Sequence, residues 1–465
     1  MRGAVVRYNE FRGYGFVKGD DDNDYFVHWS FIEGSGYKYL NIGDIVEFIP
    51  EKVPKGLEAR NLTVIGPDHR TQLRLKPNPF TPQQPMTDPN KFAGREAAIA
   101  NAIDCIFNHK NLLITGERGI GKSSLAFQLA YLAGGEKILL ERLNVDAGGY
   151  EFEYLCPGHR CIPGHNISNI VESLIMSSAN ELGISLDYDK IVTELGIDLK
   201  FIKAIQKIEE ENKPSTELVS FFVDAIERIY SKSGGRFNGV LFIIDEIDCL
   251  HNGENLAAFL KAAIESLKYK SYTNISIILA GVTGTLTELI LQHKSFSRLF
   301  ENIELKRMTE SELAEIISRS LDSTDTTMET EVKRDIITLS DRFPEPIHLI
   351  GYHSFRFDND KNIDRRDFNR ALNFIIRELK KQEFDNLYSI AKEGPANEIL
   401  KAIAFYKENE FTISALSEST DMHSDVVSGI IGNLLEKEII IRFKQKVFRL
   451  KDPLFRIYLK WVIGR

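Results

Sequence analysis

One octapeptide constrains this chain more than any other stretch. Residues 116–123 read G-E-R-G-I-G-K-S, between an aliphatic run at 112–114 and a helix-like segment at 124–130. A glycine-rich loop between a strand and a helix lets backbone N–H groups converge on phosphate oxygens, at the positive end of the helix dipole. The alternative, a surface loop that merely contains glycine, does not explain the flanking strand and helix. The pattern predicts a unit that binds nucleotide phosphates.

The spacing within the loop assigns roles to its side chains. Lys122 is placed to reach the β- and γ-phosphates, and the Ser123 hydroxyl is placed to bind Mg²⁺. We therefore expect ATP and Mg²⁺ as cofactors. The residues predicted to contact the nucleotide here are Gly116, Gly119, Ile120, Gly121, Lys122, Ser123 and Ser124.

Aliphatic runs alternating with helical patterns from residue 91 onward predict an α/β domain with a parallel sheet buried on both faces. The predicted strands are 112–115, 138–143, 240–244, 275–280 and 303–305. The third strand delivers Asp245 and Glu246 at its carboxyl end, beside the phosphate loop. There Asp245 would hold Mg²⁺, and Glu246 would orient and deprotonate the attacking water. The alternative role of such an acidic pair is to cap the next helix.

Composition limits the partners and the compartment. A chain of 465 residues predicts about three domains. The net charge of −9 means that any nucleic-acid contact must come from a local surface rather than from the global field. Four cysteines in a chain of this length do not indicate a disulfide framework. No apolar run is long enough to span a bilayer. We expect a cytoplasmic protein with no membrane partner.

Residues 1–66 show short alternating runs separated by turn residues, which predicts a small all-β unit. Tyr14 and Phe16 lie at alternate positions of one run, and Phe26 and His28 at alternate positions of the next, so each pair shares a face. Rings that face solvent waste apolar area unless something stacks on them. Nucleobases do so, at about 1–3 kcal/mol per base.

This segment resembles a cold-shock domain, a five-stranded OB-type barrel that binds single-stranded RNA or DNA. The resemblance rests on R-G-Y-G-F-V at 12–17, Y-F-V-H-W-S at 25–30 and K-G-L-E-A-R-N at 55–61. It adds Tyr8 to the predicted nucleic-acid contacts. It departs at Arg7, where the family has a stacking tryptophan, although an arginine plane also stacks on bases. The alternative for the barrel is a protein-interaction or oligomerisation module.

The phosphate loop, the acidic pair and F-A-G-R-E at 92–96 together resemble an AAA+ or closely related signal-transducing ATPase. The likeness is to the branch with origin-recognition initiators and prokaryotic regulatory ATPases that end in a winged helix. It implies that Phe92 and Gly94 lie beside the adenine, and that Thr283 senses the γ-phosphate.

The same resemblance implies that Arg298 is an arginine finger supplied to a neighbouring subunit, and hence a homo-oligomer. The alternative for Arg298 is a surface ion pair with Glu301 or Glu304. In the lid, residues 343–348 contain no arginine at the position where many AAA+ proteins have a second sensor, and His348 is the ionisable group near it. The missing arginine favours a slow switch over a fast motor.

The predicted organisation is a cold-shock barrel at 1–66, a Pro-rich linker at 67–90, an ATPase core at 91–308, a helical lid at 309–390 and a winged helix at 395–465. The basic hairpin of the last segment contains Arg442, Lys444 and Lys446. These residues suit phosphate contacts to duplex DNA. The alternative for this domain is docking on a partner protein.

Two cysteines and two histidines lie within one insertion of ten residues. Cys156, His159, Cys161 and His165 are ligands of the kind that zinc takes. They make a candidate structural zinc site. The alternative is a rigid Pro/Gly loop near the nucleotide.

Together these features predict an ATP-binding and slowly hydrolysing regulatory ATPase, coupled to single-stranded nucleic acid and acting as a nucleotide-dependent switch. One alternative is a duplex-DNA loader or remodeller that acts through the winged helix. The other is a signalling scaffold with little turnover and an unknown protein partner.

Overall fold

A computed structural model describes residues 1–9, 14–33, 40, 43–54, 56–67, 77–145, 149–184, 188–200, 202, 216–250, 253–284, 298–379, 384–391, 394–406, 410–451, 455–456 and 458–459. The chain divides into two units. One is formed by Met1–Pro82 with Ser320–Arg465, and the other by Gln83–Arg319. Among the helices in these ranges, none is long and apolar enough to cross a membrane.

The N-terminal segment folds as the predicted five-stranded barrel. Its strands are β1 (Arg2–Asn9), β2 (Tyr14–Gly19), β3 (Asp24–His28), β4 (Asp44–Val53) and β5 (Gly56–Pro67). They close in the order β1-β2-β3-β5-β4. In β2 every second residue is buried, as the two-residue period of a strand on a core requires. Val17, Val27 and Phe48 are among the side chains that fill the interior.

The predicted α/β domain is confirmed as a parallel sheet with helices around it. Its strands are β6 (Asn111–Gly116), β7 (Tyr154–Leu155), β8 (Gly158–Arg160), β9 (Gly239–Asp245), β10 (Ile275–Val282) and β11 (Phe300–Leu305). The order across the sheet is β11-β6-β10-β9-β7, and β8 also pairs with β9. The central strands are almost fully buried, as in a sheet covered on both faces.

Eight described helices accompany these strands. They are α1 (Glu96–Phe107), α2 (Lys122–Ala133), α3 (Ile138–Arg142), α4 (Ile167–Glu181), α5 (Tyr188–Leu195), α6 (Thr216–Ser233), α7 (Gly253–Tyr269) and α8 (Glu310–Asp322). Apolar residues of α4, α6 and α7 share one buried core with β9. This core supports the strand that carries the acidic pair.

One predicted strand is wrong. Residues 138–143 contain helix α3, and the place beside β9 is taken by β7 and β8. Periodicity cannot assign a run of three aliphatic residues, because a buried helical turn and a buried strand give the same short apolar pattern. Leu139 and Leu140 are buried, whereas Glu141 is exposed. A strand covered on both faces would bury that carboxylate, and the helix leaves it in water.

The segment after α8 is mainly helical. It contains α9 (Thr330–Leu339), α10 (Pro344–Phe357), α11 (Arg365–Leu379) and α12 (Asp385–Ala391), with a short parallel pair of β12 (Thr327–Met328) and β13 (Asn362–Ile363). Helix α10 begins with Pro344, whose missing N–H costs no hydrogen bond in a first turn. The lid boundaries stay a prediction.

Part of the predicted linker is packed against α10. We call residues 77–81 the strap. Phe80 in the strap is only 1% exposed. A Cβ at Gly351 would lie 2.6 Å from the Phe80 ring, so α10 makes room for the ring with a glycine. The Asn78 side-chain amide also donates to the Tyr352 carbonyl oxygen at 2.8 Å. The strap is therefore fixed to α10 rather than extended in solvent.

His348, the residue near the second-sensor position, belongs to this contact. Its Nδ1 accepts a hydrogen bond from the Thr81 N–H at 3.3 Å, and its ring meets Phe80 edge-on. Burial lowers the pKa of His348 to about 4. The imidazole is thus a neutral acceptor for the strap.

The C-terminal segment contains three helices followed by a hairpin. These are α13 (Ala396–Phe405), α14 (Ile413–Thr420), α15 (Ser424–Glu436), β14 (Ile440–Lys444) and β15 (Val447–Leu450). A bridge between Phe411 and Phe448 joins the start of α14 to the hairpin. The elements follow the predicted order, and the winged helix stays a prediction.

Replacing Phe80 with alanine should lower the free energy of unfolding by about 3 kcal/mol, because a fully buried ring is lost and a cavity remains. Urea unfolding of the full chain measures the change. Phe405→Ala is the matched control, since Phe405 is 52% exposed, and it should cost less than about 0.5 kcal/mol. Equal effects of the two substitutions would contradict a bound strap.

Candidate functional site: a phosphate loop and an aromatic barrel face

The phosphate loop joins the end of β6 to the start of α2. Gly116, Gly119 and Gly121 have φ angles of 158°, 74° and 101°, which side chains disfavour. At Gly116 a Cβ would also lie 2.8 Å from the Ile120 side chain and 3.0 Å from a carbonyl oxygen of β11. Helix α2 begins at Lys122, directly after the loop. Its first turn leaves backbone N–H groups for an anion.

Lys122 lies folded across the loop. Its Nζ donates to the Glu117 carbonyl oxygen at 2.8 Å and to the Gly116 carbonyl oxygen at 3.2 Å. Burial lowers the pKa of this ammonium, and the carboxylates of Asp248 and Asp245 oppose the shift. Because charged acceptors bind a buried ammonium more strongly than neutral carbonyls do, phosphate oxygens would be better partners.

Ser123 and Asp245 meet from different elements of the fold. Asp245 ends β9 and is 7% exposed. Burial raises the pKa of its carboxyl, and a hydrogen bond from the Ser123 hydroxyl opposes that shift. The carboxylate also accepts the Glu246 N–H at 2.9 Å. A hydroxyl and a carboxylate are the hard oxygen ligands that Mg²⁺ prefers, so the donor set fits this ion.

Glu246 forms an ion pair with an arginine that belongs to no sequence motif. Arg160 ends β8, where it lies opposite Asp245 in the register. Its Nη2 donates to Glu246 Oε1 at 2.6 Å, and this bond raises the pKa of the guanidinium. The Cys161 N–H donates to the Asp245 carbonyl oxygen at 2.9 Å, which continues the attachment of this segment to β9. The carboxylate predicted to activate water is therefore engaged in an ion pair.

The barrel carries a row of partly exposed rings, which we call the ring row: Tyr14, Phe16, Phe26 and His28. Tyr14 stacks on Phe26 with ring centroids 5.8 Å apart, and Phe16 meets Phe26 edge-on at the same distance. Tyr14 lies opposite His28 in the β2–β3 register. The Arg7 guanidinium lies 4.8 Å from the Phe16 ring centroid. The row and its cation form a continuous surface on which planar groups can stack.

Tyr8 does not belong to this surface, which corrects the prediction. It is 8% exposed and packs in the barrel core. The register between β1 and β2 shifts between Val5 and Arg7. Such a bulge interrupts the alternation of faces, so Val6 and Arg7 both point outward and Tyr8 points inward.

Two family models match the chain. Residues 1–65 match the model described as 'Cold-shock' DNA-binding domain. Residues 80–352, more than half of the chain, match the model described as Novel STAND NTPase 1. The chain belongs to the Novel STAND NTPase 1 family. The expected kinship with signal-transducing ATPases and with cold-shock domains is confirmed.

Individual relatives match either one domain or most of the chain. A cold shock-like protein of Thermotoga maritima is 43% identical over 65 residues, which are 14% of this chain and 98% of that protein. The major cold shock protein of Micrococcus luteus is 47% identical over 62 residues, or 13% and 92% of the two chains. The solved Walker-type ATPase PABY2304 of Pyrococcus abyssi is similar over 81% of this chain and 99% of its own, with 18% identity and a TM-score of 0.45.

In this STAND NTPase, the predicted adenine-binding residues lie in a firmly held loop. Phe92 is 5% exposed, and its carbonyl oxygen accepts from Arg142 Nη1 at 2.6 Å. The Gly94 N–H donates to Glu315 Oε2 at 3.1 Å. The sequence does not single out Arg142 or Glu315, because neither belongs to a motif. Contact with adenine stays a prediction.

Thr283 and Arg298 stay candidates for phosphate contacts. Thr283 follows β10, whose last residue lies opposite Gly116 at the start of the phosphate loop. Arg298 is exposed just before β11. Glu301, one of its two alternative partners, accepts from Lys110 Nζ at 3.2 Å. Residues 285–297 lie outside the described part of the chain.

The candidate zinc site is wrong. Among the described residues, no group of three or more His, Cys, Asp or Glu side chains could hold a metal ion. Cys156 Sγ donates to the Tyr154 carbonyl oxygen at 3.5 Å, and Cys161 is fully buried in the apolar core. His159 Nε2 and His165 Nδ1 instead face each other at 3.2 Å. Burial raises the pKa of both thiols, which disfavours the thiolates that zinc needs. Only Gly158–Arg160 of this segment pairs with β9, as strand β8, and neither cysteine joins the histidine pair in a group that could hold a metal.

The basic hairpin near the C-terminus uses part of its charge internally. The Arg442 guanidinium lies 5.8 Å from a ring centroid of the same hairpin. Arg449 is only 9% exposed and lies 4.1 Å from another ring centroid. Lys446 is exposed in the turn, and Lys444 ends β14. A role for these residues on duplex DNA stays a prediction.

Replacing Arg160 with alanine should release Glu246 and raise basal ATP turnover by up to about fivefold, the worth of a partly exposed ion pair. Turnover at saturating ATP and Mg²⁺ measures the effect. Lys137→Ala is the control, because it removes an exposed ion pair with Glu151 of the same kind. Unchanged or lower turnover in the Arg160 variant would show that the pair does not restrain Glu246.

Proposed function

We propose that this chain is a cytoplasmic, Mg²⁺-dependent ATPase that turns over slowly and acts as a nucleotide-dependent switch, controlled by single-stranded RNA or DNA on its barrel. The observation that carries the proposal is the presence, in one chain, of a glycine-built phosphate loop opposite Asp245 and of a ring row left partly exposed to solvent. The first binds charged phosphate, and the second binds planar bases.

The phosphate site supplies each part that phosphoryl transfer to water needs. Lys122 and the N–H groups of the loop would bind the β- and γ-phosphates. Ser123 and Asp245 would hold Mg²⁺, which neutralises charge that develops on the phosphate oxygens. Glu246, once released by Arg160, would accept the proton of the attacking water. Thr283 would contact the γ-phosphate from the end of β10.

The engaged state of Glu246 supports a slow enzyme. The proposed general base is paired with Arg160 at 2.6 Å. Turnover then requires a rearrangement that separates the pair and directs the carboxylate at water. The exposed Arg298 would supply charge to the γ-phosphate of a neighbouring copy, so a homo-oligomer is part of this proposal. If Arg298 is instead a surface arginine with no role in a neighbouring copy, the turnover per copy should be the same at all protein concentrations.

The barrel supports binding by stacking rather than by charge. Stacking contributes about 1–3 kcal/mol per base and tolerates any sequence. The β2–β3 turn bears Asp20, Asp21 and Asp22, and Lys18 of β2 is paired with Asp22 and Asp24. Such a surface neutralises few phosphates, so affinity should depend only weakly on salt.

Single-stranded RNA or DNA should raise the ATPase rate of the full chain, and duplex DNA should raise it less. The double substitution of Tyr14 and Phe26 by alanine should remove this stimulation while leaving the basal rate unchanged. Tyr269→Ala is the matched control, since Tyr269 is an aromatic residue exposed at 93% on α7 of the other unit. Lys122→Ala should abolish turnover under every condition.

Each other outcome favours a different reading. Stimulation by duplex DNA alone would replace the proposal by a loader or remodeller acting through the C-terminal segment. No response to any nucleic acid would favour a scaffold that binds a protein partner. Stimulation that survives the loss of Tyr14 and Phe26 would show that the ring row is not the sensor.

A further inference from the structure

Arg95 occupies a strained position between the predicted adenine loop and the phosphate loop. It immediately precedes α1 and has a φ angle of 64°, in the left-handed region. A side chain with a positive φ is uncommon, and such strain persists where the surroundings fix it. Burial lowers the pKa of its guanidinium, and the charge of Glu312 opposes the shift. The phosphate chemistry described above does not use this half-buried cation.

The guanidinium of Arg95 joins two backbone segments. Its Nη2 donates to the Ile120 carbonyl oxygen at 2.9 Å. Its Nη1 donates to the Lys306 carbonyl oxygen, just after β11. Ile120 belongs to the phosphate loop. Because the guanidinium is a rigid planar fork, holding one acceptor at each arm fixes the position of the loop carbonyl relative to the sheet.

A fixed carbonyl at Ile120 also fixes the next N–H. The peptide bond is planar and trans, so the Gly121 N–H points away from the Ile120 carbonyl oxygen. With that oxygen turned toward Arg95, the N–H is directed to the opposite side of the loop. Gly121 is the N-cap of α2, where backbone N–H groups have no partner within the helix. Arg95 thus sets the direction of a donor at the phosphate end of α2.

Arg95 is itself anchored by α8. Its backbone N–H donates to Glu312 Oε1 at 2.9 Å. Glu312 Oε2 accepts the Thr309 N–H at 2.8 Å, so this carboxylate is held at the start of α8. The neighbouring Gly94 N–H donates to Glu315 Oε2 at 3.1 Å. A hydrogen-bonded path therefore runs from α8 through Arg95 to the phosphate loop.

We infer that Arg95 is a positioning residue for phosphate binding: its guanidinium fixes the Ile120–Gly121 peptide so that the Gly121 N–H donates to a nucleotide phosphate. The inference rests on the proposed binding of nucleotide. It adds that the orientation of the loop depends on a fork-shaped cation held by α8. Loss of Arg95 should therefore weaken binding of the phosphate chain of the nucleotide and leave the contacts of the base unchanged.

Calorimetric titration of the full chain with MgATP, and separately with inorganic tripolyphosphate and Mg²⁺, tests this role. Arg95→Gln should weaken both ligands in parallel, by about 10- to 100-fold, the range for hydrogen bonds that involve a charged group. Arg95→Lys keeps the charge but lacks the fork, and it should fail to restore affinity. Arg334→Gln, at an exposed surface arginine on α9, is the control and should change neither affinity.

Three results would overturn the inference. Weaker ATP binding with unchanged tripolyphosphate binding would assign Arg95 to the base. Full affinity in Arg95→Lys would show that charge alone suffices. If the wild-type chain binds neither MgATP nor tripolyphosphate, the proposed function is refuted as well. The wild-type titration therefore distinguishes failure of the proposed function from failure of the inference about Arg95. Thermal unfolding without nucleotide checks that Arg95→Gln is folded. If it shows no unfolding transition, the titrations are made with Glu312→Gln instead. That variant should weaken both ligands by about threefold, and Glu310→Gln should not.

Discussion

The parallel register of three strands is the constraint on which the site depends. Val282 of β10 lies opposite Gly116 of β6, and Leu279 lies opposite Ile244 of β9. The carboxyl ends of these strands therefore meet at one edge of the sheet. The phosphate loop, Thr283, the acidic pair and Arg160 each lie at one of these ends or at that of the adjoining β8. Without this register, a hydroxyl from α2 could not reach the carboxylate of Asp245.

The sequence predicts well where chemistry itself fixes the spacing. A phosphate loop needs its glycines, lysine and hydroxyl at set positions. An acidic pair at the end of a strand can be located once the aliphatic strand before it is recognised. It predicts poorly where tertiary pairing decides. The run at 138–143 was short enough to be helix or strand, and a bulge in β1 turned Tyr8 inward. In the Cys/His segment, Cys161 packs in the apolar core while the two histidines face each other. Arg160 belonged to no motif, and although Arg95 lies in F-A-G-R-E, its contact with the phosphate loop had no signal, because the partners of both come from distant parts of the chain.

The two parts of the chain suit different ligands for separate physical reasons. The ring row gives stacking area next to a guanidinium, and the acidic β2–β3 turn adds negative charge to the barrel. The phosphate loop gives oriented N–H groups that Arg95 and α8 hold in place. Between the two, the strap is bound to α10 through Phe80 and His348. In the proposed switch, ligand on the barrel would act through the chain on this strap, which is held to α10 by packing and hydrogen bonds.

We propose that occupancy of the barrel and occupancy of the phosphate site are coupled. The most direct test measures the affinity of a short single-stranded oligonucleotide for the Glu246→Gln chain, with and without saturating MgATP, and the affinity for MgATP with and without the oligonucleotide. Coupling requires that both affinities change by the same factor, which we expect to be about fivefold or more. Two affinities that do not respond to the other ligand would contradict the account, and the barrel and the NTPase would then be independent modules.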